Sequence, residues 1–354
     1  MRQSFVILLC LGMIITGCIN SIATKYQDKQ CVRNCLTDSP ELLQQPVLQT
    51  VQMFLGEASA LFAFYLLGAR PSTSVTKFLL QNKNTVLLSI PAVCDICGTT
   101  MMHLALTLVP VSIYQMVRGS LVIVVATFSV VFLNKKLTRG EWLSLYTVMF
   151  GIGIVGLTGF DDWNSDKPAA NTLLGITLIL VAQLFMAAQY VIEEHLISRY
   201  PFDSLEVVGF EGLFGGAITL FFLLLGTFTI AWKDPSSPLN LFQGLKDVSY
   251  SGNLMVSSFT IMISIAFYNF FGIAITNHMN ATSRSTIDTS RTLLVWLVSL
   301  ILGWERFSFL QLIGFALSVV GTLIFNGAIS FANYQVPQRQ HDYYGYEELP
   351  NDRS

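Results

Sequence analysis

Seven ionisable residues lie within stretches of the sequence that are otherwise apolar: Glu57, Asp95, Arg118, Glu211, Arg284, Asp288 and Arg291. A charge at the centre of a membrane helix costs about 2.5–3.5 kcal/mol on insertion scales, so the set would cost roughly 20 kcal/mol if it faced lipid. Polar contacts between membrane helices return about 0.6 kcal/mol on average, which is too little to explain the set as structural pairing alone. We therefore predict that these side chains face one another or water inside a helix bundle.

Three of these residues follow one face of a single helix. Arg284, Asp288 and Arg291 are spaced four and then three residues apart, the spacing of neighbours on a helix surface. A polar stripe of this kind predicts a helix that lines a cavity, although a fixed Arg291–Asp288 pair is the structural alternative. The predicted substrate-binding residues are Gln115, Arg118, Asn269, Arg284, Asp288 and Arg291. For Asn269, a hydrogen bond to a neighbouring helix explains the residue equally well.

The acidic members of the set indicate a second kind of chemistry. Burial among apolar helices disfavours the charged form of a carboxyl group, so Glu57, Asp95 or Glu211 could carry a coupling proton. The seven residues comprise four acids and three arginines, which does not indicate an exclusively anion-binding cavity. Glu193 and Glu194, at the end of another apolar run, are expected at a solvated interface instead.

The composition defines the elements that must position these residues. Of 354 residues, 53% are hydrophobic and 12% are charged, with a mean hydropathy of +0.58, which indicates lipid as the solvent. A helix needs about 20 apolar residues to cross the hydrocarbon. The predicted spans are 4–24, 46–68, 85–108, 111–133, 141–160, 171–193, 204–231, 254–277, 281–303 and 306–331. The fold class predicted is therefore an all-α integral membrane protein with ten transmembrane helices.

The halves of the chain echo each other. The stretch from Gln115 to Leu133 and the helix after it resemble the stretch from Arg284 to Leu302 and its successor, at an offset of 169 residues. Because five spans is an odd number, a duplicated half inserts upside down, which predicts a 5+5 inverted repeat. The predicted divisions are residues 1–160 for the first repeat, 161–333 for the second and 334–354 for a cytosolic tail.

Basic residues set the predicted orientation. With the N-terminus cytosolic, cytosolic segments hold ten Lys and Arg residues and the opposite side holds seven, so both termini are predicted in the cytosol. Residues 4–24 also resemble a cleavable signal peptide, but their removal would leave nine spans, so an uncleaved first helix is favoured.

Cys31 and Cys35 lie in a polar loop and could form a disulfide, which requires an oxidising lumen; two free thiols are the alternative.

Four segments carry a resemblance to a known family. They run from Met53 to Glu57, from Tyr114 to Gly119, from Val208 to Gly215, and from Ile287 through Glu305. In these segments the chain resembles the drug/metabolite transporter superfamily, in particular the nucleotide-sugar-transporter-like, EamA-like solute carrier family 35, subgroup F. The resemblance implies ten helices in a five-plus-five fold, alternating access, and a lysosomal or other endomembrane location, with a mitochondrial membrane as the alternative. It implies no particular substrate.

The polar tail contains a pattern that bears on location. Residues Tyr346 to Leu349 have the form of a YxxΦ sorting signal, which a cytosolic sorting adaptor could read. Asn280-Ala-Thr282 matches a glycosylation sequon, but the predicted orientation places it at the cytosolic face, so no glycan is expected there.

These observations favour a secondary transporter of a small polar or charged organic solute. No P-loop and no HExxH motif occurs, so neither ATP drive, nor membrane enzyme chemistry, nor any cofactor or metal is predicted. A net charge of −2 without a basic block gives no reason to expect a nucleic-acid partner. The alternative is a receptor or adaptor that binds another membrane protein without transporting anything.

Overall fold

The computed structural model describes residues 2–33, 35, 41–43, 45–66, 85–109, 114, 117–157, 169–200, 202–232, 237, 239–304 and 307–326. Eleven α-helices lie within these ranges: α1 Arg2–Asp28, α2 Pro46–Leu66, α3 Ser89–Leu108, α4 Leu121–Phe132, α5 Arg139–Leu157, α6 Ala169–Arg199, α7 Ser204–Thr229, α8 Leu241–Tyr250, α9 Gly252–His278, α10 Ala281–Ile301 and α11 Phe309–Phe325. A 3₁₀ turn, Thr85–Leu88, leads into α3. Two short strands, β1 Cys31–Arg33 and β2 Glu41–Leu42, pair antiparallel after α1.

Six helical segments are long and apolar enough to cross a membrane, counting within the described part of the chain. They are Ser4–Asp28, Pro46–Leu66, Thr85–Met102, Leu173–Arg199, Ser204–Thr229 and Gly252–His278. Helices suit lipid because all their backbone hydrogen bonds are made within the segment. Helices α4 and α11 are apolar but shorter, and α10 is diluted by its charged and hydroxyl residues. The protein is thus a multi-pass, helical membrane protein.

Each of the ten predicted spans overlaps one of these helices, whereas α8 and the hairpin have no predicted counterpart. Helix α8 is only ten residues long and amphipathic, with Leu241, Leu245 and Val248 recurring along one face. It was missed because a search for runs of about 20 apolar residues passes over a segment this short. Helices α8 and α9 follow each other directly, with Ser251 between them.

The helices pack in a few dominant pairs: α1 with α9, α2 with α7, α3 with α6, and α5 with α11. Glycines permit the closest approaches. A Cβ at Gly212 on α7 would lie 2.3 Å from the backbone nitrogen of Ala58 on α2. Between α5 and α11, Gly151 and Gly314 face each other, and a Cβ on either would lie 2.5 Å from the carbonyl oxygen of the other. Small residues at such crossings bring helix backbones together and increase van der Waals contact.

Contacts of charged side chains join helices at each of the two ends of the bundle. At one end, the hairpin joins α8 through an Arg33–Asp247 ion pair of 2.5 Å. At this same end, the Lys29 ammonium lies 4.6 Å from the centroid of the Trp304 ring. At the other end, Lys135 after α4 forms an ion pair with Glu194 near the end of α6.

Helix α10 occupies the interior of the bundle. It packs against α1, α4, α6, α9 and α11, and residues 281–289 are all buried. Asn280 caps its start by accepting a hydrogen bond from the Ser283 backbone at 2.7 Å. A helix segment that is buried on all sides keeps its polar side chains away from lipid. The candidate site is therefore built around this first part of α10.

Candidate functional site

Arg284 lies near the start of α10 and forms an ion pair with Glu193 of α6. The arginine side chain is 1% exposed and the glutamate 0%, so both charges are fully removed from solvent. The guanidinium carbon lies 4.1 Å from the centroid of the Tyr190 ring, one turn before Glu193. Space for it comes from Gly272 on α9, where a Cβ would be 2.7 Å from Nε of Arg284. Among the described residues, Nε of Arg284 and Oε1 of Glu193 find no hydrogen-bond partner.

A second ion pair lies further along α10. Nε of Arg291 is 2.9 Å from Oδ1 of Asp288, and the Tyr268 hydroxyl of α9 donates to the same oxygen at 2.6 Å. The Arg291 guanidinium lies 4.9 Å from the centroid of the Tyr268 ring. Gly17 on α1 makes room for this group, because a Cβ there would be 2.8 Å from the tyrosine ring and 3.0 Å from Arg291. The structure thus contains the Arg291–Asp288 pair considered above; contact between Arg291 and substrate stays a prediction.

Three predicted acids come together beside the first ion pair. Glu57 on α2 is buried and accepts a hydrogen bond of 2.6 Å from Nδ2 of Asn269 on α9. Glu211 on α7 is also buried, and no described residue forms a hydrogen bond with its Oε1. Asp95 on α3 is half-buried and interacts electrostatically with Glu193.

We call Glu57, Asp95, Glu193 and Glu211 the carboxyl cluster. Glu211 interacts electrostatically with the other three and with Arg284. The cluster draws on α2, α3, α6 and α7, and Arg284 of α10 contributes a positive charge to it. Four carboxylates and one guanidinium would sum to −3 if all were ionised. Burying so large a net charge is unfavourable, so a compensating positive charge would stabilise the group.

Glu194 closes the end of the bundle next to this site. Its Oε2 accepts a hydrogen bond of 3.0 Å from the backbone nitrogen of Ala281, the first residue of α10. Its Oε1 pairs with Lys135. A carboxylate suits this position because backbone N–H groups at a helix start have no partner within the helix and carry partial positive charge.

The expectation that Glu193 and Glu194 are solvated is wrong. Both are buried, because α6 continues to Arg199 and the start of α10 packs against this last part of α6. Hydropathy marks where an apolar run stops, whereas burial depends on neighbouring helices that sequence spacing does not reveal. The helical period could have identified Glu193 as buried. It lies one turn after Gln189 and Tyr190, so it shares their buried face of α6.

The other predicted site residues have different outcomes. Gln115, Tyr346 and Leu349 lie outside the described residues. Arg118 is half-buried, and within the described ranges it has no ion pair. Cys31 and Cys35 are joined by a disulfide in the hairpin loop, with their Cα atoms 5.7 Å apart. Among the residues that the structure describes, no group of three His, Cys, Asp or Glu side chains could hold a metal ion.

Comparison with known proteins agrees with this architecture. The nucleotide-sugar transporter family model matches residues 5–197. Human solute carrier family 35 member F6 is 35% identical over 89% of this chain and 87% of its own length, and the mouse protein is 36% identical over the same shares. An uncharacterised protein of Schizosaccharomyces pombe is 36% identical over 92% of this chain and 98% of its own. One solved crystal structure covers 92% of this chain and 98% of its own with a TM-score of 0.62 at 15% identity, which supports the fold alone.

A bundle of apolar helices around buried ion pairs, together with these relatives, defines the class: a multi-pass membrane protein that transports a solute and is not an enzyme. The chain belongs to solute carrier family 35, the nucleotide-sugar-transporter-like family, in its F subgroup.

Proposed function

We propose that this protein is a secondary-active transporter of a small polar or charged organic solute, that it works by alternating access, and that protons drive it. The observation that carries the proposal is the carboxyl cluster with Arg284 inside the bundle. Ionisable residues within membrane segments are costly and mark solute or proton pathways. Here they come from both halves of the chain, from α2 and α3 as well as α6, α7 and α10.

The packing pattern supports an inverted repeat. If α1 to α5 correspond in order to α6, α7, α9, α10 and α11, the pair α1 with α9 maps onto α6 with α3. The pairs α2 with α7 and α5 with α11 each map onto themselves, and all four pairs are among the dominant contacts. The contact of α4 with α6 likewise maps onto that of α10 with α1. Repeats related in this way place a site near the membrane midplane and move against each other during transport.

Alternating access requires a closure at each end of the bundle. The Arg33–Asp247 pair and the stacking of Lys29 on Trp304 tie one end. The Lys135–Glu194 pair closes the other end of the bundle, and Glu194 also accepts a hydrogen bond from the first residue of α10. In a transport cycle these two sets of contacts would open in turn, so that the buried charges meet one side of the membrane at a time.

Location is proposed from the termini. We place both termini in the cytosol and the disulfide loop in the lumen, where an oxidising environment maintains Cys31–Cys35. The Tyr346 to Leu349 signal would then be available to cytosolic adaptors and would direct the protein to endolysosomal membranes.

The test is transport by the full-length protein in liposomes. Vesicles with and without the protein are incubated with a cell metabolite extract under an imposed pH gradient, and accumulated solutes are identified by mass spectrometry. We expect protein-dependent accumulation that falls when the gradient is collapsed. Accumulation that ignores the gradient would remove proton coupling, and binding without accumulation would favour the receptor alternative.

A further inference from the structure

We infer that the carboxyl cluster is a subsite for a positively charged nitrogen, so that the solute carries a protonated or quaternary amine. The inference rests on the proposed transport function and specifies its substrate class. It comes from how the buried charges are paired, and from which of the carboxyl groups form no ion pair of their own with the described residues.

The arginines near the site are largely neutralised by their own carboxylates. Arg284 pairs with Glu193, and Arg291 pairs with Asp288. An anionic solute would have to displace one of these buried partners, and breaking a buried ion pair leaves a charge without compensation. Of the three arginines in the ionisable set, Arg118 is the one for which the described residues supply no ion pair, and a single guanidinium does not match the charge of a diphosphate.

The remaining carboxyl groups form no ion pair of their own with the described residues, and Arg284 is the positive charge that they share with Glu193. Glu57 is bonded to the neutral amide of Asn269, and no described lysine or arginine pairs with Glu211 or Asp95. With Glu193 included, the ionisable set comprises five acids and three arginines, a formal charge of −2 rather than the −1 expected from sequence. Were all eight groups ionised, the net charge of the set would therefore be negative.

Two carboxyl oxygens of the cluster support this inference. Glu211 is 6% exposed, yet its Oε1 lacks a hydrogen-bond partner in the part of the chain that the structure describes. The same is true of Oε1 of Glu193, which is 0% exposed. A buried polar oxygen without a partner costs free energy that a donor would recover. A positively charged N–H donor satisfies both the missing hydrogen bond and the missing charge.

The aromatic residues around the site fit the same ligand. Tyr190 and Tyr268 each hold a guanidinium against the ring face, at 4.1 and 4.9 Å. Ring faces attract organic cations, including quaternary ammonium groups that cannot donate hydrogen bonds. Arg284 already fills a carboxylate-and-tyrosine site of this type, which shows that the local chemistry accommodates an organic cation. A metal ion is a poorer fit, because the described residues contain no metal-binding group.

The experiment measures the melting temperature of the purified full-length protein with four probes at matched ionic strength. Choline and histamine are the cationic probes; UDP-glucose and glucose 6-phosphate are the anionic ones. We expect the cationic probes to raise the melting temperature above that in sodium chloride, and Glu211→Gln and Asp95→Asn to weaken this effect by about ten-fold or more in apparent affinity. Two variants are used so that the misfolding of one does not prevent the test.

The control is Asp203→Asn, which removes a carboxylate at the start of the same helix α7. Asp203 is exposed and caps the helix, and asparagine retains the capping ability. This variant should respond to choline like the unaltered protein. Stabilisation by the anionic probes alone, or by none of the four, overturns the cation subsite. The liposome assay stands apart, since protein-dependent accumulation of anionic solutes would leave transport intact while removing this inference.

Discussion

The two ion pairs of α10 join four residues whose charges are all buried: Arg284, Glu193, Asp288 and Arg291. Buried ion pairs are weak contributors to stability, because the loss of hydration offsets most of their attraction. Removing one partner is different, since the remaining charge is then left in an apolar interior. Comparing the loss of one partner with the loss of both therefore distinguishes a structural role of the pair from a role in transport.

Arg284→Gln is expected to destabilise the protein by about 3–5 kcal/mol, because Glu193 is left buried without a cation. The double variant Arg284→Gln with Glu193→Gln should recover much of this loss, since no unpaired charge remains. Thermal unfolding of both variants in detergent, combined as a double-mutant cycle, measures the coupling. We further expect the double variant to fold without transporting solute. A stable single variant with normal transport would contradict both roles.

At the scale of the elements, glycine contacts determine which helices can cross closely. Helix α7 offers a matched pair of positions one turn apart. A Cβ at Gly212 would lie 2.3 Å from the backbone of α2, whereas one at Gly216 would meet its nearest atom, Cβ of Phe54, at 3.5 Å. The first distance requires the helices to separate, and the second is an ordinary contact.

Gly212→Ala is therefore expected to lower the melting temperature, because a backbone atom of α2 cannot move aside without shifting the helix. Gly216→Ala should leave the melting temperature unchanged or raise it, since alanine favours a helix over glycine by about 1 kcal/mol. Thermal unfolding of the two variants, prepared in parallel, makes the comparison. Equal behaviour of the pair would show that the α2–α7 crossing does not depend on close backbone approach.

The start of α10 gives a second prediction at this scale. Asn280 is 7% exposed and its side chain caps the helix, so Asn280→Ala should cost about 1 kcal/mol, whereas Asn280→Ser should largely retain the cap. Thermal unfolding distinguishes the two variants.

Because the Asn280 side chain is buried and hydrogen-bonded, we also expect no glycan at the Asn280-Ala-Thr282 sequon. A glycosidase-sensitive mass shift that Asn280→Ser abolishes would contradict the cytosolic assignment of this end.

At the scale of the whole molecule, the orientation links the transport cycle to location. A tag after Ser354 should be reached by antibody once the plasma membrane alone is permeabilised, because the tail is placed in the cytosol. Tyr346→Ala should then move the tagged protein away from endolysosomal membranes, as seen by microscopy, whereas Tyr344→Ala should not. An unchanged distribution in the Tyr346→Ala cells would remove the sorting signal from the proposal.

The sequence alone predicted the positions of the apolar helices and the shared face of Arg284, Asp288 and Arg291. Both are local properties, because membrane helices satisfy their hydrogen bonds within one segment and the helical period fixes which residues are neighbours. The sequence also sufficed to recognise the family, since each of the four segments that resemble it is a continuous stretch of the chain.

Partner choice was decided only by the tertiary structure. Glu193 and Arg284 are 91 residues apart in the chain, and their pairing depends on α6 and α10 meeting at a particular depth with Gly272 leaving room for the guanidinium. The same holds for Asn269 and Glu57, 212 residues apart. Such contacts arise from packing between distant segments, which no periodicity within one segment encodes. For this reason the charges of the site were predictable from sequence, while their balance was not.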